Sequence, residues 1–92
     1  MKFRKKPVVI EAVLIDKKMD HSPPGWLTNA VETGVVRLHG INPFTRDQPW
    51  AEVMTLEGTM RGDAGDWIIR GVKGELYPCK ADIFEATYEK VE

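Results

Sequence analysis

A single cysteine, Cys79, and only two histidines, His21 and His39, occur in the 92 residues. One thiol closes no disulfide within the chain, and without paired Cys or His spacing there is no basis for a structural zinc site. Such a cysteine count suits a reducing compartment. No apolar run approaches the roughly 20 residues needed to cross a bilayer. The opening "MKFRKKPVVIEAV" has no small-residue cleavage site after its apolar run, so the expectation is a cytoplasmic chain that meets no membrane. Phosphate-binding loops are lacking too. "GVKGE" and "GTMRGDAGDW" match neither G-x-x-x-x-G-K-S/T nor a G-x-G-x-x-G turn that opens a helix. No metal, no cofactor and no catalytic residue are implied.

What is present describes one small folded domain spanning residues 1–92. Hydrophobic content of 42% with 29% charge lies in the globular range, which argues against disorder. The net charge of −1 hides an asymmetry: residues 1–46 carry eight Lys/Arg against four Asp/Glu, and residues 47–92 carry five against ten. The molecule should have a basic end, with residues 1–6 as a basic arm, and an acidic end.

"PVVIEAVLI" is apolar at both alternating sets of positions and reads as a strand covered on both faces, interrupted only by Glu11. "HSPPGWLTNAVETG" carries helix punctuation, with Ser22 as N-cap, two prolines in the first turn and Gly34 as stop. Trp26, Leu27, Ala30 and Val31 fall on one face of that helix, over residues 24–33. "VVRLHG" suggests another strand, and residues 40–50, with two prolines and no period, a loop. "AEVMTLEGTMRG" alternates around Glu57-Gly58 as a tight hairpin. A second hairpin closes at Lys73-Gly74, setting Arg70 opposite Tyr77 and Ile69 opposite Pro78. Trp67, Ile69 and Leu76 would then face the core, and Arg70, Glu75, Tyr77 and Cys79 the other side. "KADIFEA" makes a short helix over residues 80–86, and "TYEKV" a final edge strand. The expected fold class is α+β: a small, mainly antiparallel sheet of four to six strands with one amphipathic helix packed on it and a short C-terminal helix. Trp26, Leu27, Val31, Val9, Val13, Trp67, Ile69, Leu76, Ile83 and Phe84 are the expected core.

The stretches "MKFRKKPVVIEAV", "TLEGTM" and "GDWIIRGVKGELYPCKADIFEATYE" together resemble a family of short proteins found in bacteriophage and prophage genomes. The resemblance covers the first fifteen or so residues and the last forty. It implies a phage or prophage origin and an accessory role in the bacterial cytoplasm, and it carries no activity. Where relatives read "PGD" and "KPDIF", this chain has Ala64 and Ala81, at a turn and a helix start where proline would stiffen the backbone.

Several residues invite chemistry, each beside a plainer explanation. Glu11 within an apolar strand could be a carboxylate with a raised pKa, or a residue at a sheet edge paired with Arg70, Arg37 or a lysine. Cys79 with His39 could be built into a nucleophile, but a lone cysteine is more often a small half-buried hydrophobe. The densest constellation is the outer hairpin face: Arg70, Glu75 and Tyr77, with Lys73 at the loop and Lys80 beyond Pro78. A planar donor beside an aromatic ring grips a carboxylate, phosphate or base, while cross-strand pairing explains the same residues without a ligand. Phe44 and Trp50 in the 40–50 loop could stack on a base or tuck into the core rim. Lys2, Arg4, Lys5 and Lys6 could follow nucleic-acid phosphates or guard an edge strand against aggregation. The leading expectation is a non-enzymatic accessory protein that binds a host or phage protein, with a homodimer through a sheet edge as one form it could take. The alternatives are a binder of a nucleotide or other anionic metabolite, and a nucleic-acid binder working through the arm.

Overall fold

The computed structural model describes residues 1–4 and 7–91, so Lys5 and Lys6 of the basic arm lie outside the described residues. The elements run β1 (Glu11–Leu14), α1 (Gly25–Glu32), β2 (Val36–His39), β3 (Trp50–Thr55), β4 (Gly58–Asp63), β5 (Trp67–Arg70), β6 (Leu76–Cys79) and α2 (Ala81–Thr87). The class is α+β, as the pattern implies. The strands form two three-stranded antiparallel sheets, ordered β1-β5-β6 and β2-β3-β4, where a single sheet was expected.

The core lies between α1 and the inner faces of both sheets: Ile15, Met19, Leu27, Ala30, Val36, Ala51, Val53 and Ile68 are buried together. Burying such side chains stabilises a domain by about 1.5–3 kcal/mol each for the larger aliphatics. The sheets meet closely at Gly62, where a Cβ would stand 2.6 Å from Ile15 Cδ1 and 3.2 Å from Pro78 Cβ. A second, thinner layer covers the outer face of the first sheet. There Ile69 is fully buried, Phe84 of α2 stacks on Trp67 with centroids 4.3 Å apart, and Tyr88 tilts against Phe84.

Several sequence expectations need correction. The β5–β6 loop has three residues, Val72, Lys73 and Gly74, because Gly71 N–H donates to the Glu75 carbonyl (2.8 Å) and Gly74 takes a φ of 82°. A turn followed by a left-handed glycine is a favoured hairpin closure. A Cβ at position 71 would meet only the Glu75 carboxylate, the end of an exposed and flexible side chain, so Gly74 is the glycine that the loop requires. The extra loop residue slips the register by one: Arg70 opposes Leu76, and Ile69 opposes Tyr77. Leu76 therefore shares a face with Arg70, while Tyr77 and Cys79 share one with Trp67 and Ile69.

The first hairpin closes on Leu56 and Glu57, since Thr55 pairs with Gly58. Helix α1 is entered from Pro24, not Ser22, and no side chain caps it. Val31 turns outward (40% exposed) because Leu27 and Ala30 occupy the buried stripe. Ile83 and Val9 are also exposed. Only residues 11–14 of the first apolar stretch pair in a sheet, and that strand sits at an edge. The "TYEKV" segment forms no strand among the described residues. No helix there is long and apolar enough to cross a membrane.

Candidate functional site

The turn after β4 is built around Asp66. Asp63 carbonyl accepts from Asp66 N–H (2.9 Å) across Ala64 and Gly65, and Gly65 has φ of 89°, the positive value that the third residue of a type II turn requires. Asp66 is 7% exposed. Its carboxylate accepts from Asp63 N–H (2.9 Å), Lys80 Nζ (3.0 Å) and, at the start of α2, Ala81 N–H (3.3 Å). Burial pushes its pKa up, but the hydrogen bonds from Asp63, Lys80 and Ala81 outweigh burial and hold the carboxyl below its ordinary range. Lys80 also reaches Asp63 (3.3 Å), and these two carboxylates raise the Lys80 pKa. Asp63 is lowered by its hydrogen bonds from Arg61 and Lys80. Lys80 is thus a strut joining a turn to a helix, and the "GDW" and "CKADIF" segments are bound to one another by it.

Other sequence candidates are similarly engaged. Glu11 is exposed on the edge strand, where its carboxylate accepts from Arg70 (3.2 Å) and from Trp26 Nε1 (2.9 Å). The ion-pair explanation of Glu11 is the one the structure supports. Tyr77 turns away from Arg70 and hydrogen-bonds Tyr88; burial first, and then that bond, pushes its pKa up to about 12. The Cys79 thiol is pushed up by burial and by the nearby Asp66 and Asp82, the reverse of an activated nucleophile. His39 stacks on Trp50 (4.0 Å between centroids) and meets Glu52 (2.7 Å), while the Arg61 guanidinium covers Trp50 at 4.0 Å. Trp50 therefore has no open face for a base. Phe44 is 94% exposed and does not tuck into the core rim, on a loop that Lys17 Nζ secures through the Asn42 and Thr45 carbonyls. Among the described residues no cluster of His, Cys, Asp or Glu could hold a metal ion.

The hairpin constellation is therefore dispersed. Arg70 and Tyr77 lie on opposite faces, Lys80 belongs to the Asp66 corner, and Glu75 folds back to accept from Lys73 N–H (3.2 Å). Arg70, Lys73, Glu75 and Tyr77 nevertheless all border one feature that the sequence did not reveal. An open groove of about 990 Å³ runs between α1, the β3–β4 loop and the β5–β6 loop. Trp26, Asn29 and Thr33 line it from the helix, Met54, Leu56 and Met60 from the first hairpin, and Leu76 and Pro78 from the second. Leu56 at the hairpin tip is fully exposed, with Met54 57% and Met60 40% exposed. A leucine in the turn of "TLEG" was the available signal, since a tight turn there asks for polar residues.

Comparisons with protein-family models, with curated proteins and with solved structures each returned no match.

Proposed function

We propose that this chain is a non-enzymatic accessory protein, of phage or prophage origin and acting in the bacterial cytoplasm, that works by binding a protein partner along the groove between α1 and the two hairpin loops. The observation that carries the reading is the rim of that groove, where Leu56 at the tight loop and Met60 on the strand after it stand exposed; Met60 opposes Val53 on the inner face, while Met54, opposite Thr59, lies on the other face of the hairpin. A methionine on a binding surface adapts to an apolar partner side chain, and strands that are already paired lose little entropy on docking. Lys73 adds a cation at the rim, and its ammonium makes no ion pair among the described residues. The phage assignment rests on the sequence resemblance of the first fifteen and last forty residues. Asp63, Asp66 and Lys80 are joined in a structural network that holds the two acids ionised and the lysine charged, which supports the non-enzymatic reading.

A small anionic ligand fits the groove less well. Such sites converge several polar groups on a ligand, whereas Arg70 here is engaged by Glu11. The test is capture from infected cells, identification of the partner by mass spectrometry, and titration of the purified partner against wild type and a Leu56→Asp, Met60→Asp variant. Loss of affinity in the variant supports the reading. Unchanged affinity, or a thermal shift with nucleotides in place of any protein partner, contradicts it.

A further inference from the structure

The outer face of the first sheet is covered by the chain's own C-terminal part. Ala12, Ile69 and Tyr77 form one cross-strand row on that face, and Trp67 lies opposite Cys79 in the next. Ile69 is fully buried there, apart from the main core. Over these rows Phe84 stacks on Trp67, while Tyr88 tilts against Phe84 and hydrogen-bonds Tyr77. Residues 88–91 border an open trough of about 490 Å³ whose other wall includes Val8, Val9, Ile10 and Ala12.

The root of this cover is firm and the rest is not. At the root, the buried Asp66 carboxylate accepts from Lys80 Nζ (3.0 Å) and Ala81 N–H (3.3 Å). Beyond it, α2 has seven residues, no side-chain cap and no buried residue. Isolated helices shorter than about 12–15 residues are marginal in water, so α2 owes its helicity to docking. Ile83 and Val91 are 56% and 65% exposed, and the trough leaves its lining without the dispersion contacts of a packed seam. The contacts also run in series. The Phe84 ring carries both the Trp67 stack and the Tyr88 contact, and the Phe84 carbonyl accepts from Tyr88 N–H (2.9 Å). Loss of the Trp67 stack therefore removes the support of Tyr88 as well.

We propose that residues 82–91 are a strap, hinged at the Asp66 corner, that opens as one unit while α1 and both sheets stay folded. Segments with few buried apolar contacts open at a lower free energy than the whole domain. Closed, the strap covers the sheet. Open, it bares Trp67, Ile69 and Tyr77 together with the Cys79 thiol, which lies close enough to Asp82 to feel its charge. The strap is thus a gate on an apolar face. The proposal is independent of the groove reading, because Trp67, Cys79, Phe84 and Tyr88 do not line the groove.

The experiment is native-state hydrogen exchange by NMR on the full chain at low urea concentrations, with iodoacetamide labelling of Cys79 in parallel. In wild type the Phe84 and Tyr88 amides should share one opening constant, at least about tenfold above that of the β3 and β5 ladder amides and with a shallower urea dependence. Cys79 labelling should follow that same constant. Phe84→Ala should speed strap exchange and labelling by about tenfold, the scale of an aromatic stack. Val53→Ala, in the core, should speed the ladder amides while strap exchange and labelling keep their wild-type rates. Should that variant fail to fold, the wild-type urea dependence decides. Strap amides that exchange with the ladder's constant and urea slope would overturn the proposal. So would Tyr88 opening ahead of Phe84, which is fraying from the end, or labelling that Phe84→Ala leaves unchanged.

Discussion

The corner around Asp66 and the rim around Leu56 are both made of hairpin turns, yet their side chains are used in opposite ways. At the corner every charged group faces a partner within the chain: Arg61 with Asp63, Lys80 with Asp63 and Asp66, and Asp66 with two backbone N–H groups. At the rim, Leu56 and Met60 face solvent. The difference teaches that a conspicuous motif can be scaffold. "GDWIIRGVKGELYPCKADIFEATYE" is dense with polar residues because a turn, a three-residue loop and a helix start must be held in register. The exposed apolar side chains lie in the less remarkable "EVMTLEGTM".

The comparison breaks most visibly at Asp66. Replacing it with alanine orphans the Asp63 and Ala81 N–H groups and releases Lys80, and should lower stability by about 2–4 kcal/mol in urea titrations, since hydrogen bonds to a buried charge are among the stronger ones. The same carboxylate sets a pH limb. Its folded pKa lies below the ordinary 3.8, so its contribution is present above that value and is lost as pH falls through the lowered one. Asp66→Asn should flatten the acid limb of stability against pH below about 3.8 relative to wild type. Lys80 works in the opposite sense: its raised pKa makes its contribution complete below 10.5 and lost as pH rises beyond it.

Next in size is Gly62→Ala. A Cβ 2.6 Å from Ile15 Cδ1 overpacks the contact between the sheets and should cost about 1–3 kcal/mol, read from the urea midpoint. Smaller again are two proline substitutions, one at the turn before Asp66 and one at the start of α2. Ala64→Pro suits the second residue of a type II turn and should add about 0.4–1 kcal/mol by stiffening the unfolded chain. Ala81→Pro removes the N–H that donates to Asp66, so it should gain less than Ala64→Pro or lose stability outright, seen as a lower melting temperature. Smallest is Leu56→Asp, which should move stability by no more than about 0.5 kcal/mol, because the side chain is fully exposed.

The α+β class, both helices and the two hairpins were legible in the sequence because they rest on local signals: period, prolines and turn glycines. Register was less so. "GVKG" can close a two-residue or a three-residue loop, and the choice is settled by Gly74 in the left-handed region and by Glu75 folding over Gly71, which are three-dimensional facts. That one residue moved Tyr77 to the face of Trp67 and dispersed the expected site. Nor could "PVVIEAVLI" declare itself an edge, since an apolar run reads alike whether it is covered by neighbours or open. The division of strands into two sheets was hidden for a related reason: the meeting of Gly62 with Ile15 and Pro78 spans most of the chain. The groove escaped notice because its walls come from three separate segments, and only Leu56 within a turn marked it.

The central claim is that the groove rim binds and the Asp66 corner supports. Its most direct test is a calorimetric titration of the purified protein partner into wild type, the Leu56→Asp, Met60→Asp variant, and a chain lacking residues 1–6, each at low and moderate salt, with urea midpoints measured alongside. The rim variant should lose binding at both salt concentrations while keeping a wild-type midpoint, and the shortened chain should bind as wild type does. Binding that survives in the rim variant and disappears, with steep salt dependence, only when the basic arm is removed would contradict the account.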